Sequence, residues 1–259
     1  MTTECSLLVD SSSYTAGSRA IAADAAPLDE AHVDARDAST PQGCALYSDA
    51  SFCHDFDDAK TALSPYVLSS FIPDGSTGTI SLVTDGAVSA PNAGRFVVTG
   101  APSNGCADVL LTKSLPGQFG TLTARVSVRA ETEGIAFSVV ASQQEFQPRS
   151  YRVLLTIRRT ATDANVEVLV QQYESGNFTT FYQGIFALQD DPFTRSLDLT
   201  VAMATAPTPS ILVRAWDRSL VVPAPADLVI NDPDVEIGPY CQPAGVTFTY
   251  DDLAIWTGP

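Results

Sequence analysis

The stretch Thr121–Ala130 reads TLTARVSVRA. Leu122, Ala124, Val126, Val128 and Ala130 hold alternate positions, with Thr121, Thr123, Arg125, Ser127 and Arg129 between them. In an extended chain successive side chains point to opposite faces, so this spacing makes one apolar and one polar face. The segment is a half-buried strand, and its apolar side needs a second layer to cover it.

The same pattern recurs on both sides. In 134–142 Ile135, Phe137, Val139 and Ala141 alternate; in 151–159 Tyr151, Val153, Leu155 and Ile157; in 164–173 Val166, Val168 and Val170; in 196–204 Leu197, Leu199, Val201 and Met203. Further strands are predicted over 66–72, 79–84, 94–99, 107–113, 179–188, 210–217, 219–222 and 246–256. The separators PDGSTG, SAPNAG, APSNG, ESGN and APTPS are rich in residues that favour turns. No segment after residue 64 carries a 3.6-residue period of helical length. The fold class is therefore all-β: an antiparallel sandwich or closed barrel, with length and low strand charge favouring two large packed sheets.

The formal charge is -16, with 14 basic and 30 acidic residues. No basic stripe exists to neutralise phosphates, which argues against nucleic acid and against anionic membrane surfaces as partners. No apolar run reaches the roughly 20 residues that a transmembrane helix needs.

Five cysteines are scattered at Cys5, Cys44, Cys53, Cys106 and Cys241, with no C-x-x-C pair and only two histidines, His32 and His54. A zinc finger or ribbon is improbable on that count, whereas an exported protein with two disulfides and one odd cysteine fits. Four cysteines allow three pairings. Nearness favours Cys44–Cys53, which leaves Cys106–Cys241, with Cys5 free or lipidated.

Residues 6–42 are dominated by alanine, serine and aspartate and offer no core-forming face. The expected organisation is a flexible acidic tether over 1–43 and one sandwich domain over 44–259. CSLLVDSSSYTAG (5–17) resembles the mature start of bacterial secreted lipoproteins, in which a cysteine carries lipid. That resemblance implies a lipid anchor on Cys5 and a cell-envelope or extracellular location. Glu4 departs from the small residue expected before such a cysteine, and only MTTE precedes it, so no signal peptide is visible.

Two motifs carry a second resemblance. Asp85, Ser89 and Pro91 follow a D-x-x-x-S-x-P pattern, and Asp251, Asp252, Leu253 and Ile255 sit in the carboxyl-terminal GVTFTYDDLAIWTGP. With the opening FCHDFDD (52–58), these resemble the concanavalin A-like lectin/glucanase jelly roll, laminin-G-like modules included. The resemblance implies a jelly-roll sandwich and a carbohydrate-related role.

Glucanases of that type draw two carboxylates from one strand through E-x-D-x-x-E, and no such spacing occurs here. Glu131 and Glu133 come nearest, in a turn and without a third acid. Neither histidine lies in the strands that would supply a lyase or triad base. The expected function is therefore a non-catalytic, lectin-like module that binds a glycan or extracellular partner. The alternatives are a polysaccharide hydrolase or lyase with an unrecognised site, or a purely structural envelope module. Tyr173, Tyr182, Trp216 and Asp217 are the candidate ligand-binding residues, since aromatic rings stack on sugars. No cofactor is expected beyond calcium, for which Asp251 and Asp252, or Asp55, Asp57 and Asp58, are candidate ligands. The simpler reading of FCHDFDD buries Phe52 and Phe56 and leaves its aspartates in water.

Overall fold

The computed structural model describes residues 43–58, 62–85, 87–89, 91–100, 106–142, 149–159, 163–175, 177–188, 190–241 and 245–259. Residues 1–42 of the expected tether, Cys5 among them, lie outside these residues. A short 3-10 turn at Gly43–Tyr47 leads into the strands. In chain order these are β1 (Phe52–His54), β2 (Val67–Phe71), β3 (Ser76–Val83), β4 (Ala93–Gly100), β5 (Asp108–Ser114), β6 (Gln118–Phe119), β7 (Thr121–Ala130), β8 (Gly134–Val140) and β9 (Arg149–Arg159). They continue with β10 (Ala164–Glu174), β11 (Asn177–Ala187), β12 (Leu197–Ala204), β13 (Ser210–Ala215), β14 (Arg218–Pro223), β15 (Ile230–Asn231), β16 (Asp234–Ile237) and β17 (Val246–Gly258).

Two large antiparallel sheets result. The first runs β14-β13-β12-β7-β17-β4-β3, with β1 also on β17; the second runs β11-β10-β9-β8-β16-β5-β2. The small pair β15-β6 stands apart. The long β17 lies along β7 on one side and is shared on the other by β4, from Val246 to Tyr250, and β1, from Leu253 to Ile255. The last strand thereby ties both ends of the described domain into one sheet.

The alternation that decided the fold class is realised side chain by side chain. Leu122, Ala124, Val126, Val128 and Ala130 are all fully buried, and Leu197, Leu199 and Val201 face them from the neighbouring strand. Val153, Leu155, Ile157, Val166, Val168 and Val170 close the core from the second sheet. Each buried valine, leucine or isoleucine among them contributes about 1.5–3 kcal/mol of transfer free energy. Within β8 the alternation slips. A bulge between Ile135 and Phe137 moves Ile135 off the core face and buries Ala136 instead, because one extra residue reverses the facing of what precedes it.

Three short strands, β6, β15 and β16, fall outside the ranges read as strands, and β1 is present only as a short piece of FCHDFDD. β1 is only three residues long, and β16 is four residues, DVEI, between prolines and acids. Yet β16 occupies the middle of the second sheet, between β8 and β5.

Candidate functional site: the outer face of the second sheet

Cross-strand register sets which side chains leave the core together. On the second sheet Val67, Thr112, Glu236, Ser138, Leu154, Leu169 and Gln183 form one row across all seven strands, pointing away from the first sheet. Beside it run Ser114, Asp234, Val140, Arg152, Gln171 and Thr180. Toward one end Tyr173 is paired with Phe178, ring centroids 4.9 Å apart. Toward the other, Phe71 is paired with Asp108.

An outer sheet face normally carries solvated side chains, and the middle of this one does not. Leu154 is 2% exposed, and Ser138, Thr156 and Glu167 are buried. The side chains of Arg152 and Glu236 are 11% and 13% exposed. Arg152 donates from Nη2 to Glu236 and from Nε to Ser138 Oγ at 2.8 Å, and its guanidinium lies 4.1 Å over the Tyr240 ring. Burial opposes its charge, but Glu236 and Tyr240 outweigh that and raise the pKa above the ordinary arginine value. Elsewhere on the same face, Glu167 accepts from Arg158 Nε at 2.5 Å and from Gln183 Nε2 at 2.6 Å.

Asp108 completes the floor. Its Oδ1 accepts the Phe71 amide at 2.8 Å. Burial, with a further contribution from the Glu236 charge, pushes its pKa up to about 6 against the opposing effects of the Phe71 hydrogen bond and Arg152. Exposed apolar groups stand on both margins: Val67 (64%) and Phe71 (38%) on β2, and Ile185 (60%) on β11. The arrangement is a polar, largely desolvated floor between apolar edges, the composition that places ring faces and hydroxyls of a ligand at once.

The turn that carries Tyr240 is held firmly. Pro239 accepts the Val109 amide at 3.1 Å, and Cys241 is joined to Cys106, two residues before Asp108. Gly238 adopts a φ of +125°, and a Cβ there would lie 2.1 Å from the Val109 carbonyl oxygen. Only glycine fits that conformation and that approach. The second disulfide joins Cys44 to Cys53, so the pairing expected from nearness and the one left over are both present.

The four predicted ligand residues do not come together. Tyr173 is on the outer face just described. Tyr182 packs against the core, because an extra residue, Phe181, separates the pairs Gln171–Thr180 and Val170–Tyr182 and reverses its facing. Without that register shift Tyr182 would oppose Leu169 and point outward. Trp216 lies on the first sheet, in the turn between β13 and β14; it packs on the core and donates its Nε1–H to the Ser196 carbonyl at 3.0 Å. Asp217 is exposed in the same turn.

The expected calcium ligands are occupied within the protein. Asp251 Oδ2 accepts the amides of Val88 at 2.7 Å and Ser89 at 2.9 Å, and Asp252 Oδ1 accepts the Ser89 hydroxyl at 2.8 Å. Burial and the adjacent Asp252 push the Asp251 pKa up to about 7. Asp252, at a φ of +51°, sits in the β17 bulge. Asp55 Oδ2 accepts the Cys44 amide at 3.3 Å and Asp57 Oδ1 the Asn92 amide at 3.0 Å, so these two do not simply point into water as expected. His54 packs edge-on against Phe56 and Tyr66 at 4.7 and 5.2 Å. Among the described residues no group of three or more His, Cys, Asp or Glu side chains is arranged to hold a metal ion.

The sequence matches no family model and no curated protein. Solved structures do match the fold. The cellulose-induced protein Cip1 superposes with a TM-score of 0.53 at 14% identity, over 79% of this chain and 96% of its own. A Bacillus licheniformis β-glucanase gives 0.47 at 14% identity over 80% and 98%, and the metal-free carbohydrate recognition domain of Emp46p gives 0.49 at 11% over 78% and 92%. The fold is a jelly-roll sandwich. At these identities the likeness extends to the fold alone.

Glu236, Arg152 and Tyr240 went unnoticed in the sequence. Arg152 reads as one polar position of an alternating strand. The available signal was the isolated Glu236 between two buried residues, Val235 and Ile237.

Proposed function

We propose that this protein binds a glycan on the outer face of its second sheet, without cleaving it. The observation that carries the reading is the buried Arg152–Glu236 pair, with Ser138 and Tyr240, on a face that the core does not require to be polar. Burying an ion pair costs desolvation that an apolar pair of similar volume avoids, so stability alone does not account for it. Sugars match such a floor: hydroxyls meet fixed donors and acceptors, while the apolar side of a pyranose ring rests on Phe71, Tyr173 or Phe178. Retaining hydrolysis needs two carboxyl groups ~5–5.5 Å apart acting as nucleophile and acid. Glu236 and Glu167 each hold an arginine instead, which favours binding over cleavage.

Two disulfides fit an oxidising compartment, and no helix among the described residues is long and apolar enough to cross a membrane. We place the protein at a cell envelope or outside the cell, with Cys5 as a lipid attachment site in the lipoprotein reading.

A glycan array probed with the full chain tests the function. Binding is expected at a Kd of about 1 μM to 1 mM, or 4–8 kcal/mol. Phe71→Ala and Tyr173→Ala should each weaken it at least about fivefold while leaving the melting temperature unchanged, since aromatic contacts of this kind contribute ~0.5–1.5 kcal/mol beyond area burial. Release of reducing ends or unsaturated uronates from any bound polysaccharide would refute the non-cleaving part.

A further inference from the structure

Resting on that reading, we infer that the face selects neutral glycans over acidic ones, and that Asp108 is the residue that turns acidic sugars away. The charge inventory of the face leads there. Among the described strand residues that point outward on the second sheet, four are carboxylates, Asp108, Glu167, Asp234 and Glu236, and two are arginines, Arg152 and Arg158. Each arginine is already held by a carboxylate, Arg152 by Glu236 and Arg158 by Glu167. A uronate or sulfate arriving on this floor therefore meets no uncommitted cation among these residues and must approach a surplus of negative charge.

Asp108 is where that surplus acts on a ligand. It is paired in register with Phe71, the exposed ring that offers the stacking platform on this margin. The groups around it are the Phe71 amide from β2, Glu236 from β16 and Arg152 from β9. Arg152 and Glu236 largely cancel one another, so the Asp108 charge is felt by whatever lies on Phe71. In a site of low dielectric, like charges placed side by side cost far more than in water, and such repulsion is a recognised source of specificity.

Protonation provides an internal control. A uronate carboxyl, like other α-substituted acids, ionises at about 3.5, so it stays charged from pH 5 to 7.5. Asp108 crosses from ionised to neutral in that interval. Acidic glycans should bind the wild-type chain better as the pH falls, while neutral ones change little.

The experiment uses neutral oligosaccharides of the gluco, manno and galacto series, with uronic acid oligomers of the same linkage and length, against the full chain by calorimetry at pH 7.5 and pH 5. The variant is Asp108→Asn, whose amide oxygen can keep the Phe71 hydrogen bond. At pH 7.5 the wild type should favour the neutral member by at least about tenfold. Asp108→Asn should close most of that gap by strengthening the acidic partner alone, and should remove its pH dependence. Equal or tighter wild-type binding of the acidic member overturns the inference and leaves the glycan-binding reading intact. A neutral preference unchanged in Asp108→Asn overturns the role of Asp108. Binding of no oligosaccharide, with none on the array, overturns the underlying reading itself.

Discussion

Ser89 binds Asp252 through its hydroxyl at 2.8 Å and Asp251 through its amide at 2.9 Å, across more than 160 residues of chain. These are the two motifs that suggested a jelly roll, and in the folded chain they are one buried contact. Ser89→Ala removes a donor from a buried carboxylate, which costs about 1–3 kcal/mol. Differential scanning calorimetry should show a drop of several degrees. Glycan binding should not change, because the contact belongs to the first sheet and the proposed site to the second.

Stability should rise as the pH falls from 8 toward 5. Asp251 and Asp108 have folded pKa values raised to about 7 and about 6 from an ordinary 3.8. A raised carboxyl stabilises the fold fully below its unfolded pKa, and the contribution disappears as the pH climbs through the folded one. The loss therefore spans about pH 4 to 7. His54 works in the opposite sense: burial lowers its pKa, so its contribution disappears only as the pH falls through that depressed value. Asp108→Asn should flatten the melting-temperature profile between pH 5 and 7, and an unchanged slope would count against the buried carboxyl as its source.

The two disulfides should differ in their effect on binding. Cys106–Cys241 staples together the chain segments that bring Asp108 and Tyr240 to the floor, whereas Cys44–Cys53 closes a nine-residue loop at β1 on the first sheet. Cys106→Ser with Cys241→Ser should lower glycan affinity as well as stability. Cys44→Ser with Cys53→Ser should lower stability only, and less, because the loop it closes is far shorter. Equal affinities in both double variants would separate Tyr240 from the site.

Trp216→Ala should destabilise without affecting binding. The ring packs on the core and its Nε1–H holds the Ser196 carbonyl, so its loss should cost about 3 kcal/mol, the lower end for buried aromatics. Calorimetric titration of the bound glycan should return the wild-type Kd. Weakened binding at unchanged stability would restore Trp216 to the ligand surface.

Much of the architecture was legible in the chain because burial in a two-layer fold imposes a local rule: alternate residues must be apolar. TLTARVSVRA obeys it over ten residues, and so do 151–159 and 196–204, so strand identity and facing followed without knowledge of the partners. The disulfides were legible for a related reason, since four cysteines leave few pairings and nine residues of separation favour the local one.

Tertiary structure alone decided the site. Facing is local only until a single residue is inserted: the bulge at β8 sent Ile135 outward, where alternation read it inward, and the bulge at β11 turned Tyr182 to the core, away from the ligand surface expected of it. Strand order is not local at all: β16 is four residues long, and its place beside β8 and β5 is set by pairings more than 90 residues away in sequence. Those pairings bring Glu236 to Arg152 and Tyr240 to the face of Asp108. A carboxylate on an isolated strand is hydrated and unremarked, and it acquires a raised pKa or a buried partner only when other strands exclude the water around it.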